Sequence, residues 1–495
     1  MKHQNALYYG DNLDILRDYI PDESIDLIYL DPPFNSNQVY NIIYKEQNGS
    51  PSQSQIKAFE DTWKWDETVA RAYQEVVESG NNKVARSMIA FREMLGECNL
   101  LAYLTMMAPR LVEMYRVLTK TGSIYLHCDQ TASHYLKLIL DTIFETKNFR
   151  NEITWCYTGA SSPGQRQFPR KHDVIFWYSK GDKWVFNDDE IRIPYSESTI
   201  SRIKAGDKGG KSSQSVFHGK RINRTAHEKG KIIEDWWIIP PLGSTSKERL
   251  GYPTQKPEAL LERIIKASSS EGDVILDPFC GCGTAVVVAE KLKRKWIGID
   301  ITNVAISLVI NRLDDAFIKA TKFQVIGVPV SLSDARALAE SDPFEFQYWA
   351  TGMVGAFPTT KKKGADRGID GTIRFHDEGL KGKTKKLLIS VKSGKVGVKD
   401  IRNLRGVIER EGAEIGVFIT LATPTRNMIT EATTAGFYTS PGWNTKHSRI
   451  QILTIEEILS GKRIDYPSPQ MTNVTFKRAP FITKSTNENQ VDFSE

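Results

Sequence analysis

Two short apolar runs, far apart in the chain, each end in a turn whose residues restrict the backbone. Ser24 to Leu30 runs into Asp31-Pro32-Pro33-Phe34, and Asp273 to Leu276 runs into Asp277-Pro278-Phe279-Cys280-Gly281-Cys282-Gly283-Thr284. Runs this short and this apolar read as strands buried on both faces, which requires helices above and below the sheet. The neighbouring sequence supplies them. Leu13, Leu16 and Ile20 have helical spacing behind a possible cap at Asp11 or Asn12. Residues 101–118 and 131–144 read as helices on either side of a strand from Ser123 to His127. Strands alternating with helices point to a mostly parallel α/β sheet.

The pattern lapses and then resumes. Residues 45–65 are polar, then aromatic (Phe59, Trp63, Trp65), and read as a loop folding over a cleft. From about 155 to 250 the chain is rich in Lys, Arg, Gly and Ser. There Arg202, Lys204, Lys208, Lys211, Lys220, Arg221, Arg224, Lys229 and Lys231 face only Asp207 and Glu228. A basic stretch of this kind suits contacts to phosphates, with salt-dependent binding. From Thr254 the α/β pattern returns, with Pro257 at a helix start, an apolar stripe at Leu260, Leu261, Ile264 and Ile265, and a strand from Lys295 to Asp300. Residues 318–340 are less patterned and hold the expected domain junction. A separate α/β module is expected over 341–465, followed by a polar tail at 466–495.

Bulk properties narrow the class. A length of 495 residues allows two to four domains, and 40% hydrophobic with 25% charged residues is ordinary for globular protein. The net charge of +6 is too modest to argue nucleic-acid binding by itself. Cys98, Cys128, Cys156, Cys280 and Cys282 lack paired metal-ligand spacing. With no signal pattern and no apolar run near the ~20 residues of a membrane span, the expectation is a cytoplasmic protein that does not engage membranes.

The glycine turn can bring backbone N–H groups and a helix N-terminus to a ligand. Asp300, at the end of the following strand, stands where a carboxylate can accept ribose hydroxyls. This geometry alone fits NAD, FAD or S-adenosylmethionine. The Asp-Pro-Pro-Phe turn discriminates. An exocyclic amine on a base is a poor nucleophile because its lone pair is delocalised into the ring. Hydrogen bonds accepted from that amine by Asp31 and the Pro32 carbonyl would localise the lone pair. The prolines rigidify the turn and remove competing donors, and Phe34 can stack on a base flipped out of the duplex.

On these motifs residues 1 to about 320 resemble the amino-methylating DNA methyltransferases of the beta class, with the catalytic motif first, the recognition region next and the cofactor motif last. Tyr9-Gly10-Asp11-Asn12, Phe168 to His172 with Phe176 to Lys180, and Thr254-Gln255-Lys256-Pro257 add to the resemblance. It implies a doubly wound, Rossmann-like sheet for residues 1–330, with a target-recognition region inserted at about 155–250. It implies catalysis by Asp31, Pro32, Pro33 and Phe34. It also implies S-adenosylmethionine binding by Asp11, Lys256, Asp277, Pro278, Phe279, Gly281, Gly283, Thr284 and Asp300. Double-stranded DNA is the expected substrate, with adenine N6 favoured over cytosine N4.

In the C-terminal module Asp370 precedes a strand at 372–375, and Ser390 and Lys392 share one face of a second strand, 387–392. Asp370 could hold Mg²⁺, Lys392 could steady an attacking water, and Glu345 could add a second metal ligand. The pattern resembles the Mrr-like branch of the PD-(D/E)xK restriction endonucleases, although Ser390 stands where an acidic residue is usual. The resemblance implies a DNA-cleaving domain, and hence a homodimer that cuts both strands. The alternative is a solitary methyltransferase whose C-terminal module only grips DNA or a partner. An oxidoreductase on a Rossmann-type sheet leaves the Asp-Pro-Pro-Phe turn without a role.

Overall fold

The computed structural model describes residues 4–33, 38–42, 56–61, 64–78, 82–157, 166, 168–204, 214–217, 220–223, 227–243, 246–250, 252, 254–317, 320–359, 368–377 and 384–467. Nine strands build the larger sheet: β1 (Ala6–Tyr9), β2 (Ile25–Leu30), β3 (Leu118–Cys128), β4 (Phe149–Cys156), β5 (His172–Ser179), β6 (Trp236–Ile238), β7 (Val274–Asp277), β8 (Lys295–Asp300) and β9 (Gln324–Ile326). Their spatial order is β6-β4-β5-β3-β2-β7-β8-β1-β9. Only β5 runs against its neighbours, pairing antiparallel with β3 and β4.

The centre of the sheet follows from the two apolar runs. β2 and β7 lie side by side in parallel, with Leu27 opposite Ile275 and Ile28 opposite Leu276. Strand alternation explains why β2 is apolar on both faces from Leu27 to Leu30. Ile28 and Leu30 pack into one core cluster, Leu27 and Tyr29 into the other. Burying each such side chain contributes roughly 1.5–3 kcal/mol. α1 (Asn12–Tyr19), α2 (Asn99–Val117) and α3 (Ser133–Phe144) cover the first face through Leu16, Leu104, Leu111 and Leu136. α4 (Glu258–Ser268), α5 (Thr284–Lys291) and α6 (Asn303–Phe317) cover the second through Leu261, Val287, Val309 and Leu313. Next along the chain, β2 is followed by β3 on one side and β7 by β8 on the other. The connections therefore diverge at the β2/β7 boundary, where an open α/β sheet leaves a crevice beyond its strand ends.

Three expectations change. Part of the segment read as a cleft-covering loop is a hairpin, with 38–42 paired antiparallel to 56–61; residues 43–55 and Trp63 lie outside the described residues. In the basic insert, β5 is an interior strand and β6 an edge strand of the main sheet. Lys229 and Lys231 already pair with Asp189 (3.2 Å) and Glu234 (2.8 Å), acids additional to Asp207 and Glu228. Lys208, Lys211 and Arg224 lie outside the described residues, as do the side chains of Arg202, Lys204, Lys220 and Arg221. Finally, the weakly patterned segment before 341 contains α7 (Leu332–Ser341). It is started by a capping box between Ser331 and Asp334 and anchored by Ala335 and Ala339, whose small side chains give little periodic signal.

The second sheet, β10 (Phe357–Pro358), β11 (Gly371–Phe375), β12 (Lys385–Lys392), β13 (Ile415–Thr420) and β14 (Ile450–Thr454), keeps chain order. β10 to β12 are antiparallel and β12 to β14 parallel. α8 (Pro343–Met353) and α9 (Val398–Glu411) pack on it through Phe346, Trp349, Leu404 and Ile408. No helix among the described residues is long and apolar enough to cross a membrane.

Candidate active site

Asp31 leaves the C-terminal end of β2 into a cleft. Lys256, 9% exposed, donates from Nζ to Asp31 Oδ2 at 2.5 Å. The other oxygen, Oδ1, is buried, and no hydrogen bond reaches it among the described residues; His127 Nδ1 stands 3.9 Å away. A buried carboxylate oxygen without a donor is costly, so it marks a place where a donor belongs. Pro32 and Pro33 line the same cleft and have no N–H to offer it. This wall presents acceptors to whatever enters.

The opposite wall is the glycine turn between β7 and α5. Gly281 (φ +49°) and Gly283 (φ +75°) hold left-handed backbone conformations. A Cβ on Gly281 would meet Tyr252 at 3.1 Å, and one on Gly283 would stand 2.8 Å from Val309 Cγ2. Asp300 ties the turn to β8. Its Oδ2 accepts from Gly281 N (2.9 Å), and its Oδ1 accepts from the N–H (2.9 Å) and hydroxyl (2.8 Å) of Thr302. Burial pushes the Asp300 carboxyl up to about 6 against these stabilising bonds. Burial, with the charges of Asp31 and Asp300 adding to it, raises the Asp277 carboxyl well above the usual range. Cys280 and Cys282 are free, buried thiols raised by burial, small residues packed in a tight turn.

Between the walls lies a cavity of about 280 Å³. Of the residues expected from sequence, Asp11, Asp31, Pro32, Pro33, Lys256, Asp277, Pro278, Phe279, Gly281, Thr284 and Asp300 line it. Gly283 stands behind the turn, where it admits α6; Phe34 lies outside the described residues. Asp11 caps α1 at Leu13 N (2.7 Å), and each of its two oxygens accepts from Arg110 Nη2 at 2.7 Å. Thr284 accepts from Arg312 (3.0 Å).

Several lining or supporting residues were not anticipated. Arg110 projects from α2 to Asp11 and Asn12, and Asn12 donates to the Pro278 carbonyl (2.7 Å). Tyr252 is buried against Gly281. Arg312, 2% exposed, joins Glu258 of α4 (2.9 Å) to Thr284 and the Cys282 carbonyl (3.2 Å). One signal for it was available: an arginine on the apolar stripe of α6, beside Val309 and Leu313.

The C-terminal module differs from expectation at its acidic positions. Asp370 N bonds to Ile389 O (2.8 Å), placing Asp370 beside β12, and its Oδ2 accepts from Val391 N at 2.7 Å. Ser390 is buried and Lys392 partly exposed. Glu345 is engaged with the large domain instead of being left free beside Asp370. At the start of α8 its Oε2 accepts from Tyr9 (3.0 Å) and Asn303 (3.0 Å), on β1 and α6 of the large domain. The reason is placement: the first turn of α8 faces the larger sheet. No group of three or more metal-ligating side chains occurs among the described residues.

At the β2/β7 crossover the α/β sheet thus carries a cleft with an acceptor wall opposite a glycine turn and its Asp300. A family model described as DNA methylase (N6_N4) matches residues 25–311, more than half the chain, and the chain belongs to that family. A second model, NACHT-associated inactive Restriction Endonuclease 1, matches residues 345–460. Among curated relatives, type II methyltransferase M.HpaI of Haemophilus parainfluenzae is 34% identical over 207 residues, 42% of this chain and 58% of the relative. DNA adenine methyltransferase YhdJ of Escherichia coli (strain K12) is 27% identical over 312 residues, 63% of this chain and 83% of the relative. The chain thus spans less than two thirds of M.HpaI. A solved M1.HpyAVI–SAM complex aligns at a TM-score of 0.34 with 18% identity, covering 62% of this chain and 98% of that one.

Proposed function

We propose that the chain is a site-specific DNA methyltransferase that modifies the exocyclic amine of a flipped base in double-stranded DNA, adenine N6 in preference to cytosine N4. The observation that carries this is the Asp31 carboxylate: Oδ2 is held by Lys256, while Oδ1 is buried without a donor among the described residues. An amine entering there supplies the missing donor. The Pro32 carbonyl is the second acceptor, and together they localise the lone pair on nitrogen. Lys256 fixes the carboxylate's rotation and keeps its charge from standing uncompensated.

The residues fit S-adenosylmethionine, which supplies an electrophilic methyl when bound. Asp300 is the acceptor for ribose hydroxyls, the Gly281–Gly283 turn gives close backbone approach, and Tyr252, Phe279 and Leu261 provide an apolar bed. The preference for adenine rests on the Asp-Pro-Pro-Phe order and gains support from the likeness to YhdJ, a DNA adenine methyltransferase.

For the C-terminal module we favour a DNA- or partner-gripping role without cleavage. Ser390 replaces an acid, Glu345 is engaged elsewhere, and Asp370 accepts a backbone N–H. The likeness to a model named for inactive endonucleases supports the same reading. A homodimer was expected in order to cut two strands; without cleavage that reason lapses.

The test is transfer of labelled methyl from S-adenosylmethionine to unmethylated duplex DNA. Wild type should transfer label, whereas Asp31→Ala should bind cofactor and transfer none. Transfer by Asp31→Ala would remove Asp31 from the chemistry.

A further inference from the structure

Behind Asp31 lies a buried polar chain that the cleft does not need for shape. His127, at the end of β3, is fully buried. Its Nε2 lies 3.2 Å from Asp173 Oδ2 on β5, and its Nδ1 lies 3.0 Å from the Tyr29 hydroxyl on β2. Tyr157, just beyond β4, donates to the other Asp173 oxygen at 3.2 Å. The neighbours fix the tautomer. A carboxylate only accepts, so Nε2 carries the hydrogen toward Asp173, and Nδ1 presents its lone pair to the Tyr29 side. That lone pair is also the imidazole nitrogen 3.9 Å from Asp31 Oδ1, the oxygen without a donor.

We propose that His127 and Asp173 form a proton-holding dyad that acts through Asp31, taking up the proton released when the target amine is methylated. The inference rests on the methyltransferase reading. As the N–C bond forms, the methyl–sulfur bond breaks with its electron pair staying on sulfur. One N–H bond of the amine breaks, and its proton passes to Asp31 Oδ1. His127 Nδ1 stands 3.9 Å from that oxygen; a movement of about 1 Å, with the Tyr29 hydroxyl turning its hydrogen away, brings it within hydrogen-bonding distance of the new O–H. His127 then becomes an imidazolium held by Asp173, and Asp31 is again an acceptor. The proton leaves for solvent after product departs.

The surroundings favour this route. The charged groups around the dyad are Asp31 on β2, Asp173 on β5 and Lys256 ahead of α4, with Asp129 beyond β3 and Asp277 on β7 also acting on its neighbours, and Tyr29 and Tyr157 as neutral hydroxyls. Carboxyls outnumber the one ammonium here, which favours an added proton on the dyad. Burial raises the Asp173 carboxyl, but the hydrogen bond from His127, with Lys256 and Tyr157 adding to it, holds it below its ordinary range. Burial, with the charge of Asp31 next, keeps the Tyr29 hydroxyl well above its usual value, so Tyr29 stays a neutral hydroxyl that can turn from donor to acceptor.

His127 and Asp173 act through Asp31 and are positioning residues. The experiment measures single-turnover methyl transfer by the full-length protein, from labelled S-adenosylmethionine to unmethylated DNA fragments. Wild type, His127→Gln and Asp173→Asn are compared over a range of about pH 6 to 9, with cofactor affinity measured by calorimetry as the check on folding. The expected result is cofactor binding within about threefold of wild type, a rate lowered roughly tenfold or more in each variant, and a flattened pH profile. Rates within about twofold of wild type overturn the dyad. So does a parallel loss of cofactor binding and rate with the wild-type pH profile retained, which marks a merely structural role. Absence of transfer by wild type itself would overturn the methyltransferase reading, and the dyad with it.

Discussion

Arg312→Met tests whether the cofactor wall is held from behind. Arg312 is 2% exposed and joins three elements: Glu258 at the start of α4, Thr284 at the start of α5, and the Cys282 carbonyl in the glycine turn. Methionine retains much of the stem but leaves Glu258, 17% exposed in its side chain, without its cation. Breaking a buried ion pair by removing one partner costs about 3–5 kcal/mol, because the remaining charge stays desolvated. At roughly 2 °C per kcal/mol for a domain of this size, the melting temperature should fall by about 6–10 °C. Cofactor affinity should fall with it, since Glu258 lies two residues beyond Lys256 and Thr284 begins the helix after the glycines. Thermal unfolding by calorimetry reads the first effect and cofactor titration the second. Adding Glu258→Gln should recover part of the loss, because the stranded charge is then gone. An Arg312→Met protein melting within about 1 °C of wild type would refute the reasoning, as would a double variant whose losses simply add.

Three further outcomes are expected. Gly283→Ala should weaken cofactor binding at least tenfold in calorimetry; the left-handed backbone costs alanine about 1–2 kcal/mol, and the new Cβ meets Val309 Cγ2 at 2.8 Å. Adding Val309→Ala should relieve the contact but not the backbone cost. Asp300 should impose a pH dependence on cofactor binding: its carboxyl titrates at about 6, above the ordinary 3.8, and only the ionised form accepts two ribose hydroxyls. Affinity should rise with pH through that value, while the raised carboxyl's contribution to fold stability, complete below 3.8, is lost over the same rise. Asp300→Asn should flatten both curves. Last, neither methylated nor unmethylated plasmid should be cut with Mg²⁺; cutting abolished by Lys392→Ala would restore an active nuclease.

The parts of the site legible in the sequence were those whose chemistry is local. Asp31-Pro32-Pro33 and the Gly281–Gly283 turn each announce a strand end by composition, and the adjacency of β2 and β7 follows from their motif class. Arg110, Tyr252, His127 and Asp173 were silent because each meets its partner from a remote segment. The link between His127 and Asp31 needs β2, β3 and β5 to be neighbours, which no periodicity reveals. Glu345 was misplaced for a related reason. Its helix was anticipated, but which of two sheets its first turn would face depends on docking of α8 against α6 and β1. The basic insert is less free than its run of cations implies, since Asp189 and Glu234 within it pair with Lys229 and Lys231.

The most direct test digests DNA to nucleosides after incubation with S-adenosylmethionine and either wild type or Asp31→Ala, and identifies methylated nucleosides by mass spectrometry. N6-methyladenine from wild type alone is the expected result. N4-methylcytosine would move the target but keep the amine chemistry. Methylation at a ring carbon, or equal product from both proteins, would contradict the assignment of Asp31 as the acceptor that activates an exocyclic amine.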